Sequence, residues 1–273
     1  MSKILTNNKY LILRRISQFT IMFLFIGANV WGWKMLSGDL STAKVVDKFY
    51  LADPYMVIQT FATGFILASD TLIGALIVLL FYGLIGGRAF CSWVCPMNIV
   101  TDTANWLRKK LKMYKEDVKV PVKRSMRYWI LGLGIVLSSI FGVAAFELIS
   151  PISMMHRGII FGLGMGWAAI LMVFFFDLFV LQNGFCGHIC PLGAFYSIIN
   201  KISLFKVNHI KDNCTACNKC FIACPEKQVL KGIINKIDSQ IYGSECTNCG
   251  RCIDVCEDNS LRFSIIKYKK NKF

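Results

Sequence analysis

Long apolar segments alternate with polar loops over the first two thirds of this 273-residue chain. The apolar runs cover residues 16–36, 66–86, 128–148 and 158–182, and each approaches the ~20 residues that an α-helix needs to cross a bilayer. Closely spaced glycines in the last two runs, at Gly132 and Gly134 and again at Gly162, Gly164 and Gly166, suit close packing of helices in lipid. The pattern predicts an integral membrane unit of four helices over residues 1–191.

The first apolar run follows Arg14 and Arg15, an arrangement that also occurs in twin-arginine export signals. The run is long enough to span a membrane, and no A-x-A-like cleavage site follows it. We therefore expect an uncleaved first transmembrane helix.

Basic residues concentrate in one of the loops between the apolar runs. The loop at 87–127 carries ten of them against three acidic residues, whereas the loop at 37–65 has two and the loop at 149–157 has only Arg157. The ten are Arg88, Arg108, Lys109, Lys110, Lys112, Lys115, Lys119, Lys123, Arg124 and Arg127. The positive-inside rule places this loop in the cytoplasm. We expect a multi-pass protein of the cytoplasmic (inner) membrane, with both termini and the C-terminal domain on the cytoplasmic side.

The overall charge agrees with a membrane protein. The net charge is +15, and 55% of the residues are hydrophobic. Such a positive charge can indicate nucleic-acid binding, but here the basic residues adjoin apolar spans, and no module that combines aromatic and basic residues for RNA or DNA is visible. The predicted partner is membrane lipid and not nucleic acid.

Eight of the twelve cysteines lie in two C-x2-C-x2-C-x3-C runs near the C-terminus. In bacterial ferredoxins with this spacing, three thiolates of one run and the last thiolate of the other hold each [4Fe–4S] cluster. The spacing predicts two clusters, one ligated by Cys214, Cys217, Cys220 and Cys256, the other by Cys246, Cys249, Cys252 and Cys224. Zinc would favour two separated C-x2-C pairs, and a disulfide framework would not need the pattern twice. Glu257 stands where the first run has Pro225, a residue that shapes the chain without ligating iron.

The cysteine runs define the C-terminal part of the chain. We expect a ferredoxin-like domain over residues 208–273, ending in a solvated basic tail at 267–272. Residues 192–207 read as an amphipathic linker along the membrane surface, although a short buried helix would give the same pattern. The predicted fold class is mainly α: a four-helix integral membrane unit with a two-helix internal repeat, followed by a small bacterial-type 2[4Fe–4S] ferredoxin-like domain.

The other four cysteines form a second constellation. They occur as two C-x3-C-P motifs, each after an even-numbered apolar run and each preceded by phenylalanine: Cys91, Cys95 and Pro96, then Cys186, Cys190 and Pro191. Helical geometry would place the two sulfurs of a pair on one face, so the two pairs could converge on a metal, a further cluster or a redox dithiol site. The alternative is that these cysteines are small buried residues and the prolines interrupt helices.

Few ionisable residues lie in or near the apolar runs. They are Asp70, Glu147, His156, Arg157 and Asp177. Quinol oxidation releases protons, so Glu147, His156 and Asp177 are candidate proton acceptors. The alternative is a helix-end carboxylate and a solvated loop histidine. His188, inside the second C-x3-C-P motif, either interacts with a sulfur or packs locally.

Taken together, the four spans, the segments Gly-Arg-Ala-Phe-Cys91-Ser-Trp-Val-Cys95-Pro96 and Gly-Phe-Cys186-Gly-His-Ile-Cys190-Pro191, and the double ferredoxin run resemble the NapH family over nearly the whole chain. That family consists of membrane ferredoxin-type subunits of periplasmic nitrate reductase systems. The resemblance implies that electrons from menaquinol or ubiquinol pass, with NapG, a periplasmic iron–sulfur protein, to a c-type haem subunit and the reductase. NosR and the CcoG group share the architecture but carry long extra domains that this chain lacks. We see no C-x-x-C-H haem motif and no molybdenum-binding domain in the chain, so we do not expect it to reduce nitrate itself.

Three functional hypotheses follow. The first is an electron-transfer subunit of a quinol dehydrogenase. The second, like CcoG or NosR, is a metal-handling or assembly factor whose C-x3-C-P thiols hold or reduce copper. The third, a passive anchor for a partner, does not require eight ordered cysteines.

Overall fold

The computed structural model describes residues 8–112, 123–162, 164, 166–234, 240–241 and 243–265. Several predicted features lie outside these residues. They are the start of the chain, the centre of the basic loop with Lys115 and Lys119, the residues between the glycines at 162–166, and the basic tail.

The described chain is mainly helical, with two small antiparallel sheets. The helices are α1 (Lys9–Trp31), α2 (Pro54–Ala62), α3 (Ser69–Ile85), α4 (Ala89–Trp93), α5 (Met97–Lys110), α6 (Met126–Phe141), α7 (Ala145–Ile149), α8 (Pro151–Phe161), α9 (Gly166–Phe175), α10 (Pro191–Ile199), α11 (Lys219–Ala223), α12 (Lys231–Ile234) and α13 (Arg251–Asp254). Two π-helical turns (Phe176–Val180 and Phe185–Ile189) and two 3-10 turns (Lys211–Asn213 and Lys227–Leu230) complete them. The strands are β1 (Leu36–Gly38), β2 (Thr42–Val45), β3 (Phe49–Ala52), β4 (Phe205–His209) and β5 (Leu261–Ile265).

The four apolar runs give helices of unequal length. Among the described residues, α1 is long and apolar enough to cross a membrane, while Ser69–Ile85, Met126–Phe141 and Gly166–Val180 are shorter apolar helices. The bounds predicted for the third and fourth runs were wrong, because glycines in the left-handed region interrupt them. Helix α6 ends at Gly142, with φ 66°, and α8 ends at Gly162, with φ 110°, so the fourth run is divided between α8 and α9.

By their contacts, the described residues form two compact units. The ferredoxin-like unit contains those within residues 1–16, 81–93 and 196–273, and the helical unit those within residues 17–80 and 94–195. The boundary falls inside the first C-x3-C-P motif, so that Cys91 belongs to the ferredoxin-like unit and Cys95 to the helical unit.

In the helical unit, residues 37–65 are more ordered than the hydrophobic pattern indicates. Strands β1, β2 and β3 form an antiparallel meander, followed by α2, which begins at Pro54 after an extended Asp53. The Tyr55 hydroxyl donates to the Leu131 carbonyl oxygen of α6 at 3.1 Å. Gly74 of α3 approaches the sheet so closely that a Cβ there would lie 2.0 Å from the Tyr50 carbonyl oxygen. These contacts join the sheet and the apolar helices into one packed body.

Two expectations about surface residues need correction. Arg88, Arg108 and Arg127, counted above as loop charges, are buried, with relative exposures of 1%, 1% and 0%. Helix α10, which covers the first half of the predicted linker, is buried along most of its length and exposes Ile198. The structure therefore favours the buried-helix alternative for this segment over a helix lying along a surface.

Candidate iron–sulfur and thiol sites

The two ferredoxin-type cysteine runs lie between strands β4 and β5, which pair antiparallel from Phe205 opposite Ile265 to His209 opposite Leu261. Left-handed residues occupy equivalent places in the two runs. Ala216 and Asn218 have φ 58° and 59°, and Asn248 and Gly250 have φ 49° and 73°. These residues turn the chain sharply between successive cysteines and lead each loop into a short helix, α11 or α13. The repeated turn gives both runs the same local shape.

The ferredoxin-like unit contains two cavities, each with four cysteines in its lining. The outer cavity, with about 400 Å³ of empty space that includes open solvent, is lined by Cys214, Cys217, Cys220 and Cys256. The inner cavity, with about 340 Å³ on the same measure, is lined by Cys224, Cys246, Cys249 and Cys252. These quartets are the same groups of four that the spacing predicts, with the last cysteine of each run contributed to the other cavity. The ligation itself stays a prediction.

The two cavities differ in solvent access. Cys217 of the outer cavity is exposed, whereas Cys246, Cys249 and Cys252 of the inner cavity are buried. Burial raises the pKa of the Cys246 thiol to about 11 and raises the pKa of Cys252 well above its ordinary value. Metal ligation needs thiolates, so iron would supply the positive charge that stabilises them here. The buried sulfur-rich quartet therefore fits an iron–sulfur cluster.

A polar clamp, which we define as Arg88, Ser92, Trp93 and Asn200, holds the loop that carries Cys246. Arg88 donates to the Glu245 carbonyl oxygen at 2.6 Å, Ser92 to that of Thr247 at 2.6 Å, and Trp93 to that of Asn248 at 3.0 Å. The Asn200 amide reaches the carbonyl oxygens of Ser244 and Cys246, at 2.8 and 3.0 Å. Part of the first C-x3-C-P motif thus supports the wall of the inner cavity directly.

Two charged residues beside the inner cavity were not among the sequence candidates. Glu226 lines the cavity and forms a buried ion pair with Arg88 at 2.8 Å. Lys206 is 2% exposed, and its ammonium donates to the Asn200 carbonyl oxygen at 2.6 Å. Glu226 follows Cys224 and Pro225 directly, a proximity in the sequence that could have drawn attention to it.

The two C-x3-C-P motifs have similar local structures. Each begins in a short helical turn, Ala89–Trp93 or Phe185–Ile189, and the second cysteine lies where that turn ends. The following proline then lies at the start of the next helix: Pro96 caps the amino end of Met97–Lys110, and Pro191 is the first residue of Pro191–Ile199. Cys95 and Cys190 are buried, and Cys91 and Cys186 are half-buried.

The thiol of Cys190 accepts a hydrogen bond from the Gly193 backbone N–H at 3.4 Å, at the amino end of α10. A helix N-terminus favours the thiolate. His188, between the second pair of cysteines, is buried. Among the described residues, no three His, Cys, Asp or Glu side chains form a group that could hold a single metal ion.

The candidate proton acceptors differ in their surroundings. Glu147 accepts from Arg157 at 2.9 Å and from the Ser41 hydroxyl at 2.5 Å, so it belongs to a polar network with these two residues. His156 is fully buried and packs edge-on against Phe25, with ring centroids 4.6 Å apart. The alternative of a solvated loop histidine was therefore wrong.

Asp177 is also fully buried. Its Oδ1 accepts from the Phe185 backbone N–H at 3.0 Å, while its Oδ2 has no hydrogen-bond partner among the described residues. Arg108 lies beside it and donates to the Asp177 and Leu178 carbonyl oxygens at 3.4 Å. Asp70, by contrast, is exposed in the first turn of α3.

Paired cysteine-lined cavities on a β4–β5 scaffold define an iron–sulfur electron-transfer protein of the ferredoxin type. The family described as "4Fe-4S dicluster domain" matches residues 206–257, and "4Fe-4S binding domain" matches residues 68–114 and 163–208. Each copy of the second match contains one C-x3-C-P motif. No solved structure matches the chain.

Relatives that match the chain over most of their length identify a more specific family within this class. The chain is 40% identical to the methylamine utilization ferredoxin-type protein MauN of Methylorubrum extorquens, over 94% of this chain and 89% of that one. It is 38% identical to the ferredoxin-type protein NapH of Haemophilus influenzae, over 94% of this chain and 90% of that one. NapH of Escherichia coli is likewise 38% identical, over 93% and 88%. The chain belongs to the family of ferredoxin-type proteins that includes NapH and MauN.

Proposed function

We propose that this chain is a membrane-bound iron–sulfur subunit that takes part in quinol oxidation. It passes the electrons, through a NapG-like iron–sulfur partner, toward a c-type haem subunit and a periplasmic nitrate reductase. The observation that carries the proposal is the pair of four-cysteine cavities in one unit. A quinol releases two electrons, and a [4Fe–4S] centre carries one electron at a time, so two such centres can take up the two electrons singly. The outer and inner quartets are the proposed ligand sets.

The membrane location is supported by α1 and by the shorter apolar helices α3, α6 and α9 with its π-helical extension. Large apolar side chains on these helices face outward, among them Phe19, Leu80, Ile140 and Met172. A lipid surround would cover such side chains. The concentration of basic residues in the loop at 87–127 supports a cytoplasmic position for that loop and for both termini.

The C-x3-C-P cysteines are proposed as a further redox or metal site between quinol and the clusters. The hydrogen bond from Gly193 to the Cys190 thiol supports this role because it stabilises a thiolate. The Ser92 and Trp93 contacts supply a second support, since they join the first motif to the inner cavity wall.

Asp177 is the proton acceptor that the geometry supports best. A buried carboxylate oxygen without a hydrogen-bond partner among the described residues is available to a quinol hydroxyl. Glu147 is engaged by Arg157 and Ser41, so we assign it a structural role. His156 remains a second candidate because neither of its ring nitrogens has a hydrogen-bond partner among the described residues.

The similarity to MauN favours a second electron acceptor. MauN is named for methylamine utilization, and its identity to this chain is as high as that of NapH. The same quinol-linked relay could therefore serve a methylamine-utilization system. The neighbouring genes decide between the two acceptor systems.

The test is anaerobic addition of menaquinol or ubiquinol to the purified protein with its iron–sulfur partner, with cluster reduction followed by electron paramagnetic resonance. Asp177→Asn should slow quinol oxidation at unchanged iron content, since the amide keeps the acceptor for Phe185 but cannot take a proton. Asp70→Asn is the matched control and should have no effect. If neither menaquinol nor ubiquinol reduces the clusters, and the C-x3-C-P thiols bind copper tightly, the metal-handling alternative would be supported instead.

A further inference from the structure

The two cavities have different electrostatic surroundings although their cysteine runs share one spacing. Near the outer cavity, Lys219 and Glu257 form an ion pair at 2.6 Å, with side chains 49% and 75% exposed. Solvent screens such a pair. Near the inner cavity, the charged groups of Lys206, Glu226 and Arg88 are all buried. Charges in a buried position act on their neighbours more strongly than exposed ones.

Lys206 is a cation without an acidic partner in the described part of the chain. Its ammonium group is bound to the Asn200 carbonyl oxygen, and the Asn200 side chain binds the carbonyl oxygen of Cys246. Burial lowers the pKa of Lys206, and a negative charge at Cys246, which ligation of iron would create, opposes that change. An anionic centre at the Cys246 quartet is therefore the group that favours the charged ammonium.

Glu226 is the acidic counterpart and lines the inner cavity itself. Its partner Arg88 neutralises it across 2.8 Å, and the Gln228 amide donates to its other oxygen at 2.9 Å. Replacing this carboxylate by an amide would leave Arg88 as a second cation beside the inner cavity, while the amide oxygen could still accept a hydrogen bond.

We propose that Lys206 and Glu226 set the reduction potential of the cluster held by Cys224, Cys246, Cys249 and Cys252, with Lys206 raising it and Glu226 lowering it. Reduction adds negative charge to a cluster, so a fixed buried cation stabilises the reduced state and a fixed anion destabilises it. Neither residue is a ligand. The inference rests on the ligand sets of the proposed function.

The experiment is a redox titration followed by electron paramagnetic resonance in a Cys217→Ala background, which leaves the inner cluster as the one observed. Lys206→Met should lower the equilibrium constant for one-electron reduction of the inner cluster about tenfold, which corresponds to a reduction potential about 59 mV lower. Glu226→Gln should raise it by a similar factor, and the double variant should return close to the parent. Lys206→Arg, which keeps the charge, should leave the potential unchanged.

Two controls separate this inference from the ligand assignment. Lys219→Met removes an exposed cation near the outer cavity and should shift neither cluster. In a Cys249→Ala background, where the outer cluster remains, Lys206→Met should have no effect. A shift there but not in the Cys217→Ala background would mean that the ligand sets are wrong.

Unchanged potentials for both Lys206→Met and Glu226→Gln would overturn the inference while leaving the ligand sets intact. Shifts of the same sign in the two variants would also overturn it. The two variants are predicted to shift the reduction potential in opposite directions, so each one tests the inference by itself. If one variant loses its iron, the shift measured in the other decides. Loss of iron from both would overturn it as well, because a role in folding would then account for their burial.

Discussion

The buried ion pair between Arg88 and Glu226 offers the sharpest test of how the chain supports the inner cavity. The Arg88 side chain is 1% exposed and that of Glu226 4%, and their charged atoms lie 2.8 Å apart. Removing one partner of such a pair leaves an uncompensated buried charge, which costs about 3–5 kcal/mol. Arg88→Met also removes the 2.6 Å hydrogen bond to the Glu245 carbonyl oxygen. We expect this variant to weaken the loop that carries Cys246.

The assay is the loss of cluster absorbance in urea with an iron chelator, under anaerobic conditions. Cluster loss is irreversible, so the measured quantity is a rate. A loss of stability is divided between slower folding and faster unfolding, so only part of it appears in the unfolding rate. We therefore expect Arg88→Met to lose the inner cluster at least about tenfold faster than the parent. The outer cluster should be affected less, because the clamp contacts the loop of the second cysteine run.

Two variants control this prediction. Arg88→Met combined with Glu226→Gln removes both charges, so it should lose the inner cluster more slowly than Arg88→Met alone. Arg157→Met breaks ion pairs with Asp39 and Glu147, but the Arg157 side chain is 44% exposed. Such exposed pairs contribute about 0–1 kcal/mol, so this variant should lose the inner cluster at close to the parental rate. A parental rate for Arg88→Met, or a double variant no slower than the single one, would refute the reasoning.

The remaining predictions concern cofactor content, topology and the C-x3-C-P motifs. Anaerobically purified protein should contain about eight irons if the two ferredoxin-type clusters are its only ones, and Cys217→Ala and Cys249→Ala should each abolish one cluster signal; two intact signals in both variants would disprove the ligand sets. A reporter that is active only in the periplasm should be silent after residue 112 or at the C-terminus and active near residue 45, because basic loops stay inside; activity at the C-terminus would disprove the orientation. Replacing both cysteines of either C-x3-C-P motif by alanine should reduce quinol-dependent electron transfer about as much as replacing all four, since groups that act as a unit are non-additive, with the ferredoxin-type clusters retained; multiplicative losses would indicate two separate sites.

The cysteine linings of the two cavities could be predicted from the sequence, because the spacing of the two runs predicts both the three thiols that stay together and the exchange of the fourth. Three thiols within a seven-residue loop leave few arrangements around a cluster, and the cavities at Cys214 and Cys246 have the cysteine linings that this argument anticipates. Mainly helical structure was likewise predictable from the apolar runs. The helix bounds were not, since Gly142 and Gly162 stop helices inside apolar sequence that a hydropathy argument treats as continuous.

The environment of the inner cavity could not be predicted, because it depends on residues distant in the chain. Arg88 lies 138 residues from Glu226, and Ser92 lies 155 residues from Thr247. From the sequence, Arg88 counts as one more basic residue of a loop, and only its burial identifies it as a structural charge. A positive-inside count that includes buried arginines such as Arg88 overstates the charge that the loop presents to solvent.

The polar clamp contacts one of the two cysteine runs, so the runs have different surroundings although they share one spacing. Spacing alone would give two equivalent centres, and a relay of equivalent centres has no built-in direction. The clamp contacts the run that begins at Cys246, whereas the run that begins at Cys214 keeps an exposed cysteine, Cys217. If the inner cluster receives electrons from the C-x3-C-P side, the outer cluster is the one that a second protein can reach. Substitutions that cover Cys217 should then slow electron exchange with a soluble partner while leaving quinol-dependent reduction of the inner cluster unchanged.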